Sequence, residues 1–182
     1  MKHIVLFVLG VTMVSTNSLA QTPTDPVAKA LSALPTALRD LAGVIKWKND
    51  FTYGTLKKST NGLVCYDRSG FPEQQPFSVE CTSITNLVRE AQNLKFEAVG
   101  ERSKTSALID AAEKNGTRVK PEYGSVWYHL AGSDREHAQS LVTIAMPGAT
   151  TQSIGLPENP ARGRVWIMDA GTTTAHIMIP GE

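Results

Sequence analysis

The sequence predicts an α+β domain, and three observations carry that prediction. An apolar stripe at helical spacing follows the first proline-capped start. A second helical region stands near the middle of the chain. Between and after these, short runs alternate at period two and are separated by Gly-, Pro- and Asn-rich connections. The expected order is an N-terminal helix, a small disulfide-pinned antiparallel meander, a central helical pair and a C-terminal antiparallel sheet.

The N-terminal helix is expected from Asp25-Pro26, an N-cap acceptor followed by proline at the first helical position. Val27, Leu31, Leu34, Leu38, Leu41 and Ile45 then step along one helical face, and Gly43 is the expected stop. Pro35 interrupts the stripe, so a kink or two short helices are expected there. From Val44 the period changes. "VIKWK" and "FTYGTLKK" alternate, and Asn61-Gly62 stands between two strand-like runs, which predicts a hairpin. "FSVECT" alternates again after a Gly/Pro/Gln-rich loop. The central helices are expected from Ser83, with a break at Gly100, a restart at Ser103 and an end at Asn115-Gly116. "SVWYHLAG", "SLVTIAMPG", "RVWIMDAG" and "TAHIMIP" supply the C-terminal sheet.

The first residues predict export. Lys2 and His3 precede the apolar run Ile4 to Val14, and Ser18-Leu19-Ala20 presents the small residues that a signal peptidase reads. The run is shorter than the roughly 20 residues that cross a bilayer, and no cysteine stands at the cleavage point to take a lipid, so no membrane anchor is expected. The expected organisation is a signal peptide over residues 1–20 and one domain over 21–182, periplasmic or secreted. Without Lys2 the chain holds 17 basic and 17 acidic side chains. That balance, with no basic cluster, argues against nucleic acid as a partner. The two cysteines, Cys65 and Cys81, are expected to bond to each other in an oxidising compartment, since neither stands in a C-x-x-C motif.

Familiar catalytic signatures fail on inspection. "SKTS" at Ser103 lacks the glycine before the lysine of a phosphate loop, and "TQSIG" around Ser153 lacks the leading glycine of a serine-hydrolase elbow. "REHAQ" has one histidine where a zinc-protease helix needs two. Asn115-Gly116-Thr117 matches a glycosylation sequon in form only. The charged run "REAQNLKFEAVGERSK" reads as the solvated side of a helix.

What remains is a loose set. His129 and His176 lie in apolar strands, and with Asp169, Tyr128 or Glu122 they could form a metal site or an acid/base pair if the strands are neighbours. The competing reading, favoured here, is that each histidine packs as a small aromatic with one satisfied ring proton. Trp127, Tyr128 and Trp166 are candidates for lining a binding groove, again against plain core packing. No cofactor and no metal follow from these residues.

The segments "LKKSTNGLVCYD", "PEYGSVWYHLAG", "MPGAT…GLP" and "GTTTAHIMIP" together resemble a group of uncharacterised secreted bacterial proteins, in which a Thr-Asn-Gly turn enters a cysteine strand and the chain closes on Gly-Thr-x-x-Ala-His-x-Met-x-Pro. Thr173 and Thr174 fill the two variable positions and depart from the group's proline and aromatic. The resemblance implies an exported single-domain bacterial protein and no particular activity. The functional expectation is therefore an exported protein that binds a small molecule, an envelope component or a partner through its C-terminal sheet without catalysis. The alternative is a small metal-assisted or acid/base enzyme using His176, His129 and a carboxylate such as Asp169.

Overall fold

The computed structural model describes residues 25–159 and 164–181; the leader expected over residues 1–20 lies outside them. In chain order the elements are α1 (Pro26–Leu31), α2 (Thr36–Arg39), β1 (Gly43–Trp47), β2 (Tyr53–Lys57), β3 (Leu63–Asp67) and β4 (Phe77–Ser83). A 3₁₀ turn (Ile84–Asn86) then leads into α3 (Leu87–Glu97) and α4 (Arg102–Lys114). The chain continues through β5 (Val126–Gly132), β6 (Gln139–Ala145), α5 (Thr151–Ile154), β7 (Trp166–Met168) and β8 (His176–Pro180). The α+β class holds, with one eight-stranded sheet in the order β2-β1-β3-β4-β5-β6-β8-β7. The early meander and the C-terminal sheet are thus continuous, joined where β4 pairs β5.

The N-terminal helical stripe breaks as proline chemistry requires. Asp25 Oδ1 accepts from Val27 N at 3.0 Å to cap α1, and Pro35 separates α1 from α2. The stripe does not run on to Ile45. Leu41 is 50% exposed, and Ile45 belongs to β1. Gly43 is accordingly not a helix stop but the first residue of that strand. A Cβ there would lie 2.9 Å from Ser59 N, so glycine is demanded by the close passage of the β2–β3 connection.

The expected Asn61-Gly62 hairpin is overturned. β2 and β3 are not paired; β1 lies between them, antiparallel to β2 and parallel to β3. Asn61 still makes a turn, its Oδ1 accepting from Leu63 N at 3.0 Å beside Gly62 at φ 77°. The turn feeds a crossover because Leu41 O accepts from Thr60 N at 2.8 Å, pinning the connection to the end of α2.

Cys65 and Cys81 are opposite each other in the β3/β4 register and form a disulfide, both sulfurs fully buried. They face the back of the sheet, where Ala30 of α1 and Leu34 from the α1–α2 connection pack against Val44. The front of the sheet meets α3 through Leu87 and Leu94, which pack on Ile45, Trp47, Val64 and Tyr66. β4 is covered on both faces, so Ser78, Glu80 and Thr82 are buried rather than solvated. No helix among the described residues is long and apolar enough to cross a membrane.

Candidate functional site

Between the front of the sheet and the α3/α4 pair lies a cavity of about 350 Å³. Its sheet wall follows from strand periodicity and register. Glu80 on β4 aligns with His129 on β5, His129 with Leu141 on β6, and Leu141 with Pro180 on β8. Trp127, Thr143 and Met178 form the next row, and Ala145, His176 and Met168 the third, with Ala145 and Met168 each paired to His176. The helix wall is built by Glu90, Asn93 and Glu97, spaced three and four apart on the inward side of α3, with Arg89 beside them and Ile109 of α4 beyond. Arg118 closes the site from the segment after α4.

One end of the cavity is a buried ion network. Arg68 Nη1 donates to Glu80 Oε1 at 2.9 Å, and its Nη2 bonds Glu97. The same Glu80 oxygen lies 3.3 Å from His129 Nδ1, and Tyr66 OH donates to Glu80 Oε2 at 3.4 Å. A carboxylate accepts only, so Nδ1 of His129 carries the proton toward Glu80. In the neutral ring Nε2 then accepts from Thr143 Oγ1 at 3.4 Å. Burial by itself would raise the Glu80 carboxyl, but Arg68 and His129 outweigh it and bring it down to about 2.

The helix carboxylates go the other way. Burial, then the charge of Glu80, raises the Glu90 carboxyl. Its Oε1 accepts from Trp127 Nε1 at 3.0 Å and Asn93 Nδ2 at 3.1 Å, while Oε2 is buried with no hydrogen-bond partner. Burial likewise raises Glu97 to about 7, with Glu80, Glu90 and Glu73 adding to it and Arg68 opposing. One guanidinium serves two carboxylates, and Glu80, which also has His129, receives most of its benefit.

The far end is cationic. Arg118 donates to Gln92 Oε1 at 2.8 Å and Asn93 Oδ1 at 2.6 Å, and stacks over Phe96 at 5.5 Å. Arg89 donates to the Val119 carbonyl and to Thr174 Oγ1 at 3.1 Å. Burial, then its neighbour Arg118, lowers Arg89 to about 10. His176 Nδ1 donates to the Thr174 carbonyl at 2.7 Å, which leaves Nε2 an acceptor in the neutral ring.

The predicted site residues separate on this geometry. His129 and His176 both line the cavity but do not meet. β6 lies between their strands, and His176 is offset four residues from the position that faces His129's row, a Cα separation of roughly 16 Å at ordinary strand spacing. Among the described residues no group of three His, Cys, Asp or Glu side chains could hold a metal ion. Asp169 is exposed in the β7–β8 turn at φ 53°, its carbonyl accepting from Thr172, and it is not part of the cavity wall. Glu122 accepts from Ser83 and Thr85 hydroxyls on the exposed side of the sheet end.

Trp127 lines the cavity; Tyr128 faces the back of the sheet against the α1 cluster, and Trp166 sits half-buried on edge strand β7 outside the wall. Ser153, the serine of "TQSIG", is spent capping α5 with Thr150. The run "REAQNLKFEAVGERSK" is not a solvated face at its start: Arg89 is 5% and Glu90 3% exposed. Sequence reasoning missed Arg68, Glu80, Arg89, Glu90, Glu97 and Arg118. The available signal was Glu90, Asn93 and Glu97 repeating at helical spacing beside Leu87 and Leu94, a polar stripe adjoining the apolar one.

No family model, curated protein or solved structure matches the chain.

Proposed function

We propose that this is an exported, periplasmic or secreted protein that binds a small molecule without transforming it, in the cavity between the sheet and the α3/α4 pair. The observation that carries the reading is a cavity of ligand size whose wall combines apolar side chains with convergent buried polar groups. Buried charge is costly to assemble, and a core with no ligand to recognise would be more stable filled with hydrocarbon. Export is supported by the leader-like residues 1–20 and by the buried disulfide.

The test is a fragment screen by ligand-detected NMR on the purified protein and on Met178→Trp, a substitution that fills the cavity from its β8 wall. Fragments that bind the parent and are lost in the variant are expected. An absence of saturable binders, or binders indifferent to Met178→Trp, overturns the site. Terminal sequencing of protein recovered from its native compartment is expected to begin at Gln21; an intact Met1 there overturns export.

A second reading keeps the site and adds chemistry. Glu80, at 3.3 Å from Nδ1 of His129, holds that imidazole as carboxylates hold general bases. In this version His129 acts with Glu80 rather than with Asp169 or His176. It requires that a bound ligand be converted, that His129→Gln stop conversion, and that affinity survive.

A further inference from the structure

The charge of the cavity wall is not balanced evenly, and the imbalance specifies a ligand. Arg68 has two carboxylate partners, Glu80 and Glu97. Arg89 and Arg118 have none within 4.0 Å among the described residues, their guanidinium groups resting on amide oxygens, a carbonyl and a hydroxyl. Both are at least nine-tenths buried, at 5% and 6% exposure, and Nε of Arg118 has no hydrogen-bond partner. The nearby carboxylate of Glu113 is engaged by Thr173 and Thr174 instead. Two buried cations without a contacting anion are expensive, and an anion supplied by a ligand offsets that cost.

We propose that the cavity takes a small amphiphilic carboxylate, its oxyanion held by Arg118 and Arg89 and its hydrocarbon body lying along Ile109, Leu141, Met168 and Met178. This rests on the ligand-binding reading above and names the class of ligand for that site. Glu90 fits the same assignment. Its Oε2 is buried without a hydrogen-bond partner, the residue is 3% exposed, and burial raises its carboxyl, so its hydrogen bonding at the cavity wall is incomplete. The methylene- and thioether-rich part of the wall, Leu141, Met168 and Met178, is supplied by β6–β8.

The experiment is isothermal titration of the purified protein with four eight-carbon probes that differ only in head group: octanoate, octyl phosphate, octylamine and octanol. Octanoate is expected to bind one to one, at least tenfold tighter than octylamine or octanol, and to be lost in Met178→Trp. Arg118→Met is expected to weaken octanoate at least fivefold and to leave octanol unchanged; because that variant could unfold, the head-group series on the parent protein decides independently. Octylamine or octanol binding as tightly as octanoate overturns the anion assignment while leaving the cavity a ligand site. Octyl phosphate winning by more than tenfold overturns the carboxylate in favour of a phosphate. Silence from all four probes alongside cavity-bound fragments in the NMR screen defeats this inference alone; silence in both defeats the proposed function as well.

Discussion

At the scale of single residues, the molecule turns on how one arginine is shared. Arg68 is 5% exposed and contacts both Glu80 and Glu97. Replacing it by methionine keeps much of the volume and leaves Glu80 with His129 as its remaining ion-pair partner. Arg68→Met is expected to cost about 3–5 kcal/mol in urea denaturation, because breaking one side of a buried pair strands the other. Adding Glu80→Leu is expected to recover much of that loss, since the stranded charge disappears; a double variant no more stable than the single one would show that the pair's worth lies in packing. These residues were hard to read in the sequence for a physical reason. In "FSVECT" the polar positions Ser78, Glu80 and Thr82 alternate with apolar ones, the signature of a half-solvated strand. Here a helix layer covers the polar side too, and nothing within β4 announces that cover.

At the scale of elements, strands and helices were legible where the cause is local, and pairing was not. The four C-terminal strands lie where alternation put them, and the break between α3 and α4 falls at Gly100, with φ 69°. Asn61-Gly62 makes its turn, yet β3 pairs in parallel with β1 and not with β2, because register over that distance is decided by what the sheet buries. The disulfide was legible because only one pairing exists for two cysteines. It spans 16 residues between strands already joined by a ladder of five residue pairs, so its contribution falls mainly on the unfolded chain. Cys65→Ala with Cys81→Ala is expected to lower stability by about 3 kcal/mol without altering the fold. With both sulfurs fully buried, thiol titration of native protein in mild reductant is expected to detect no free cysteine until denaturant is added. Rapid reduction in the native state would place the ribbon's opening well below global unfolding.

At the scale of the whole molecule, the two opposed carboxylates give stability a definite dependence on pH. Glu80 is held down at about 2, below its ordinary 4.5, so the stability it lends is complete above pH 4.5 and is lost as pH falls toward 2. Glu97 is held up at about 7, so the folded state keeps a proton that the unfolded chain releases near 4.5, and stability declines as pH rises from 4.5 to 7. Glu90 is raised as well and adds to the decline in the same direction. The two slopes meet near pH 4.5–5, and the melting temperature is expected to peak there rather than at neutrality. Glu97→Gln keeps the size and hydrogen-bonding reach of the side chain and removes its titration, so it is expected to flatten the fall between pH 5 and 7.5 while leaving the acid side untouched. An unchanged neutral slope in that variant would move the titrating proton elsewhere, to Glu90 first. The same proton also links to the cavity: with Glu97 neutral the wall carries one more net positive charge, so an anionic ligand is expected to bind more tightly at pH 6 than at pH 8. An amine is expected to show the reverse order, and only a ligand seated against this wall would report it.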